Sequence, residues 1–208
     1  ATIPKIASVS CNTSSCTVSV DLNSNPIGTD VNVGVTVGGS AGGADSGWVK
    51  STANPHSYIN SGLSPGTQYC YVAKARNGDL TQTALSAQAC GTTAVSAPSL
   101  SGIDYNSLYA LNSGLGGNKV RWADVSGETG YTVYRSTNDS AFSNITASPL
   151  AVNTVNYEDL DLADNTTFWY KVQANSAGGD QNSARDTNIT LDRSGPSVPA
   201  SFTATSGG

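Results

Sequence analysis

The stretch Tyr58 to Ala75, YINSGLSPGTQYCYVAKA, returns without a gap 99 residues later as Tyr157 to Ala174, YEDLDLADNTTFWYKVQA. Tyr58 falls on Tyr157, Leu63 on Leu162, Thr67 on Thr166, Tyr69 on Phe168, Tyr71 on Tyr170 and Ala75 on Ala174. A period of this length is that of a whole small domain, since solenoid units recur every ~20–50 residues. Both copies end in strict alternation of apolar and polar residues, the signature of a half-buried strand. The chain must therefore build one strand-based unit twice.

Other segments share this period of two. Residues 17–22 (TVSVDL) and 31–37 (VNVGVTV) alternate in the first unit, and 119–123 (KVRWA) and 131–135 (YTVYR) in the second. Trp48-Val49 and Tyr58-Ile59 read as short strands, Asn77-Gly78 as a hairpin turn, and Thr83 to Thr93 as a closing strand. About seven short strands in some 90 residues predict an all-β protein, with two tandem seven-stranded antiparallel β-sandwiches. Pro-containing runs at Ser96–Ser99 and Ser194–Ser197 interrupt the pattern and stiffen the chain. The expected organisation is one sandwich over 1–95, a second over 96–194, and over 195–208 a linker and the opening strand of a truncated third unit.

Charge narrows the function. Only 12% of residues are charged, roughly half the ordinary ~25%, and the net charge is −5. Ten Lys and Arg scattered along the chain make no stripe that could displace counterions from phosphate, which argues against nucleic acid and anionic membranes as partners. No apolar run approaches the ~18 residues of a membrane helix. The chain lacks Met and begins at Ala1, so a processed or excised product is expected. Four Cys in a Ser/Thr-rich, Lys-poor sequence point to an oxidising, extracellular compartment.

At Leu63-Ser64-Pro65-Gly66-Thr67-Gln68-Tyr69 the chain resembles the fibronectin type III family in its bacterial extracellular branch. Leu162, Thr166 and Phe168 match the same pattern, with Asp164-Asn165 in place of Pro-Gly. Trp122 stands at the family's core Trp, Tyr131 to Ser136 resembles its third strand, and Pro196 to Thr205 its opening strand. Such sandwiches use a corner tyrosine whose hydroxyl bonds backbone across the crossing between the fifth and sixth strands. Tyr69 fits that role and Phe168 does not, which predicts a lost hydrogen bond in the second unit. Val20 stands where Trp122 stands, so Trp48 is the expected filler of the first core.

In such a sandwich, Cys11 and Cys16 end adjacent strands of one sheet, and Cys70 and Cys90 lie on adjacent strands of the other. Pairing within sheets, Cys11–Cys16 and Cys70–Cys90, keeps the Cα atoms within disulfide reach. A four-thiolate metal site is the rival. His56 is the only histidine, so no two-histidine metal site or relay can form within one chain, and no Gly-x-Ser-x-Gly elbow occurs. The carboxylates Glu158, Asp159, Asp161 and Asp164 are the sole acidic cluster and the candidate calcium ligands. Five N-x-Ser/Thr triplets match chance for 18 Asn in so Ser/Thr-rich a chain, and no Arg-Gly-Asp occurs. Tyr105, Tyr109 and Tyr134 are candidates for a sugar-stacking platform.

These readings favour a non-catalytic extracellular structural or interaction module without a cofactor. It would serve as spacer, adhesion or assembly segment, with other protein domains or copies of itself as partners. The alternatives are a carbohydrate-binding accessory module of a secreted glycoside hydrolase and a filament subunit held by strand addition.

Overall fold

Along Thr167–Asn175, Phe168, Tyr170, Val172 and Ala174 are buried and the residues between them only partly so. The computed structural model, described here for residues 1–37, 46–105 and 116–191, repeats this logic over Ser15–Asp21. No helix occurs among the described residues.

The first unit has seven strands: β1 (Lys5–Cys11), β2 (Ser15–Asp21), β3 (Asp30–Val37), β4 (Val49–Lys50), β5 (His56–Ser61), β6 (Gln68–Arg76) and β7 (Ala89–Thr92). One sheet runs β1-β2-β5 and the other β4-β3-β6-β7, all antiparallel. Val18, Val20 and Leu22 from the first meet Val31, Val33, Tyr69, Tyr71 and Ala73 from the second. Tyr71 is fully buried. Each buried Val or Leu side chain contributes on the order of 1.5–3 kcal/mol by leaving water.

The second unit repeats the plan with β8 (Leu100–Tyr105), β9 (Gly116–Trp122), β10 (Gly130–Ser136), β11 (Ser143–Asn144), β12 (Asn156–Leu162) and β13 (Thr167–Asn175). Its last strand comes in two pieces, β14 (Gln181–Asn182) and β15 (Asp186–Ile189), both paired with β13. Sheet β12-β9-β8 faces sheet β11-β10-β13-β14 across a core of Val120, Trp122, Tyr131, Val133, Phe168, Tyr170 and Val172. Val95 and Pro98, in the connection between units, are buried, Val95 within this second core.

The closing strand read over Thr83–Thr93 is regular only at Ala89–Thr92. Upstream, side chains stand in for the ladder. The Ala73 amide donates to Ser86 Oγ (2.9 Å), while the Ser86 amide donates to the Ala73 carbonyl (2.7 Å). The second unit does the same with Val172 and Ser183 (2.9 and 2.8 Å). A serine hydroxyl accepts the amide hydrogen that a broken strand leaves unpaired.

Trp48 does not fill the first core. It is half-buried on the outer side of that sheet, beneath the Arg76 guanidinium (4.5 Å) and the Lys74 ammonium (5.2 Å). Lys74 and Arg76 face outward because Tyr71, Ala73 and Ala75 face inward. The core closes without a tryptophan because the half-buried Cys11, bonded to the buried Cys16, packs against it.

Candidate functional site

The residues that sequence marks for chemistry divide between structural work and one exposed face. Cys11 is bonded to Cys16 and Cys70 to Cys90, each at a Cα separation of 4.0 Å, and no cysteine is free. No thiolate is therefore left for a metal site. Among the described residues, no group of three or more His, Cys, Asp or Glu side chains converges as a metal ion requires. His56, at the start of β5, is half-buried, and burial lowers its pKa below the ordinary histidine value.

The calcium reading of Glu158, Asp159, Asp161 and Asp164 is corrected. Adjacent strand residues point to opposite faces. Glu158 faces outward and lies 3.4 Å from Lys119, whereas Asp159 is buried and accepts two hydrogen bonds from Arg135 Nη1 (2.8 and 3.0 Å). Asp161 has a left-handed backbone, φ 59°, at the bulge between Asp159 and Leu162. Asp164 lies in the following turn, where its carbonyl accepts from Thr166 Oγ1.

Asp159 is instead the hub of a polar network between the sheets. The Tyr170 hydroxyl donates to Asp159 Oδ2 (2.7 Å) and accepts from Asn118 Nδ2 (3.0 Å). Asn118 Oδ1 accepts from Asn188 Nδ2 (3.1 Å). Burial, seconded by the Asp159 charge, pushes the Tyr170 hydroxyl far above the ordinary tyrosine range, so it remains a donor. In the first unit the corresponding bond runs from Asn60 Nδ2 to Tyr71 OH (3.2 Å). Sequence reading missed Arg135, although Tyr131 and Val133 facing inward place Arg135 on the same face.

The corner residues differ as their chemistry requires. Tyr69 OH accepts from the Ser64 amide (3.0 Å) and Leu63 packs against the first core. Leu162 and Phe168 are buried in the second, with Arg135 5.3 Å from the Phe168 ring centre. Ala163, at the position of Ser64, is exposed, and Phe168 has no hydroxyl to offer its amide. Trp122 packs 5.5 Å from Tyr131, and its buried indole N–H has no acceptor among the described residues.

The proposed tyrosine platform does not form as read. Tyr105 lies on β8 and Tyr134 on β10, in opposite sheets, and Tyr109 falls outside the described residues, as does the segment 195–208. Tyr134 has other neighbours. Phe142, Lys171, Gln173 and Asn182 line a groove with it on the outer side of the β10–β13–β14 sheet.

The two units meet through backbone. A Cβ on Gly66 would overlap the Gly127 carbonyl, and one on Gly178 would overlap the carbonyl of Thr93. A Cβ on Gly127 would stand 2.7 Å from the Pro65 carbonyl carbon. Both partners are pinned. Thr93 Oγ1 accepts from the Thr67 amide (2.9 Å) and donates to the Ser64 carbonyl (2.6 Å), fixing the Gly66 turn. Tyr131 OH accepts from the Val125 amide (3.0 Å) and donates to Asp124 (2.7 Å), fixing the loop that carries Gly127.

No family model matches the chain, and no curated protein matches it. Among solved structures, it is similar to a two-domain fibronectin type III segment from chicken tenascin. There the TM-score is 0.56 at 15% identity, covering 91% of this chain and 99% of that one. The FN1–FN3 domains of chicken CNTN1 give a TM-score of 0.38 at 16% identity, covering 91% of this chain and 66% of that one.

Proposed function

We propose that the chain, which has the fold of tandem fibronectin type III domains, is a non-catalytic structural and interaction segment of an extracellular protein, a two-unit spacer that holds a fixed direction. The observation that carries this is the junction, where Gly66 and Gly127 approach backbone to backbone between turns that are each pinned by buried or half-buried side chains. Rotation toward this contact drives main-chain atoms into each other, which limits bending on that side.

The compartment is supported by two disulfides in a chain without free cysteine, since cystines persist where thiols are not kept reduced. A spacer role is supported by the side chains that sequence nominates for chemistry. The cysteines are cross-linked and Asp159 is consumed by Arg135 and Tyr170. Other protein domains or further copies of this chain are the partners such a spacer would join. Small-angle X-ray scattering of the whole chain tests the reading. One rigid two-unit shape should account for the curve, and a curve that needs an ensemble of bent forms would overturn it.

A further inference from the structure

The outer face of the β11-β10-β13-β14 sheet differs from its counterpart in the first unit. There Trp48 is covered by two cations and Cys70 is tied to Cys90. In the second unit one cation, Lys171, lies over Phe142, and Tyr134 and Trp169 remain partly exposed. Tyr134 on β10 lies opposite Lys171 on β13, and Gln173 lies opposite Asn182 on β14. Trp169, two residues before Lys171 and on the same side of the strand, extends this surface toward Ser136 and Thr187. Tyr134, Phe142, Trp169, Lys171 and Gln173 are all partly exposed. The groove that Tyr134, Phe142, Lys171, Gln173 and Asn182 line has a volume of about 320 Å³.

Its chemistry is specific. The Lys171 ammonium sits 4.1 Å from the Phe142 ring centre, held by the ring face. Among the described residues, no carboxylate comes within ion-pair distance of it. The Tyr134 hydroxyl donates to Gln173 Oε1 (3.2 Å), and the amides of Gln173 and Asn182 both line the groove. The face thus offers two flat rings, amide donors and one fixed cation. A polyanion of high charge density is repelled by a chain of net charge −5. A sugar acid suits the same face. Its C–H side covers an aromatic ring, its hydroxyls meet the amides, and its single carboxylate meets the ammonium.

We infer that this face binds a uronic-acid-containing oligosaccharide, with Trp169 and Tyr134 as the stacking surface and Lys171 as the carboxylate contact. The inference deepens the interaction-module reading above and rests on it. The test titrates the whole chain with tetragalacturonate and with its fully methyl-esterified, neutral counterpart, read by calorimetry and amide chemical shifts. Binding should saturate with both, at least fivefold tighter for the acid, with shifts centred on β10, β13 and β14.

Lys171→Met keeps the aliphatic stem on Phe142 and should abolish the preference for the acid while leaving the neutral probe bound. Trp169→Ala and Tyr134→Ala should each weaken both probes at least tenfold. Trp169→Phe and Tyr134→Phe, which preserve a ring and the fold, should weaken them less. Absence of saturable binding to either probe would overturn the inference. So would equal affinity for both, or binding unchanged in the well-folded Trp169 and Lys171 variants. None of these results would alter the scattering curve, which tests the spacer reading separately.

Discussion

Asn118 occupies in the second unit the register position that Cys16 occupies in the first. Cys16 lies opposite Cys11 and Asn60, and Asn118 lies opposite Tyr105 and Asp159. The other cystine is replaced in the same way, since Cys70 pairs with Cys90 where Trp169 pairs with Thr187. Each disulfide of the first unit thus corresponds to an aromatic residue facing a polar one in the second. Around Asn118 the substitution continues, with Arg135 for Val35, Asp159 for Asn60 and Asn188 for Gly91. Gly91 has no room for a side chain, because a Cβ there would stand 2.8 Å from Cys11 Sγ. One unit closes this end of its core with sulfur, the other with a hydrogen-bonded network.

That correspondence predicts how the Arg135–Asp159 pair responds to mutation. Asp159→Asn leaves the partly exposed guanidinium without its counter-charge and should destabilise the second unit by about 2–3 kcal/mol. Arg135→Val alone strands Asp159, which is buried, and should cost at least as much. The double variant installs the pair found in the first unit, Val35 with Asn60, and should recover to within ~1 kcal/mol of the parent. Urea melts of the four proteins give the coupling; simple additivity would contradict it.

Reduction should weaken one unit only. The Cys70–Cys90 loop spans 20 residues and the Cys11–Cys16 loop 5. In the loop-entropy treatment these contribute about 3 and about 2 kcal/mol. Amide hydrogen exchange under reductant should show protection falling across β1–β7 and holding across β9–β15. In single-molecule pulling the first unit should be the more resistant until it is reduced. Equal forces, indifferent to reductant, would contradict this.

Thr93 and Thr190 make the same clamp. Each buried hydroxyl accepts the amide of Thr67 or Thr166 (2.9 and 3.0 Å) and donates to the carbonyl of Ser64 or Ala163 (both 2.6 Å). Valine at either site keeps the shape and leaves a half-buried amide and carbonyl unpaired, which should cost about 1–3 kcal/mol in its own unit. Serine should cost much less. Thermal melts decide it, and a neutral Thr93→Val would show that the hydroxyl is dispensable.

The clamp also shows where sequence was legible and where it was not. Strands, sheets and cystine partners follow from period-two alternation and from a gapless repeat of 99 residues. Thr93 and Thr190 are only 97 apart, because the hairpins before the closing strands differ in length, so the gapless alignment passes over them. Adjacency groups Asp159 with its acidic neighbours, although strand parity separates it from Glu158 and sends it inward. Size alone puts Trp48 in the core, whereas it lies against Lys74 and Arg76. The groove beside Tyr134 joins residues from four segments, and no single stretch announces it. The backbone contact of Gly66 with Gly127 depends on how two units meet, which neither unit's pattern encodes.

That contact carries the central claim, and electron–electron distance measurements between spin labels on Ser57 and Ser140, both exposed and one in each unit, test it directly. The parent chain should give a single narrow distance distribution. Gly127→Val, which puts a side chain into the Pro65 turn, should broaden it without lowering the stability of the first unit. A broad distribution in the parent, unchanged by Gly127→Val, would contradict a rigid spacer.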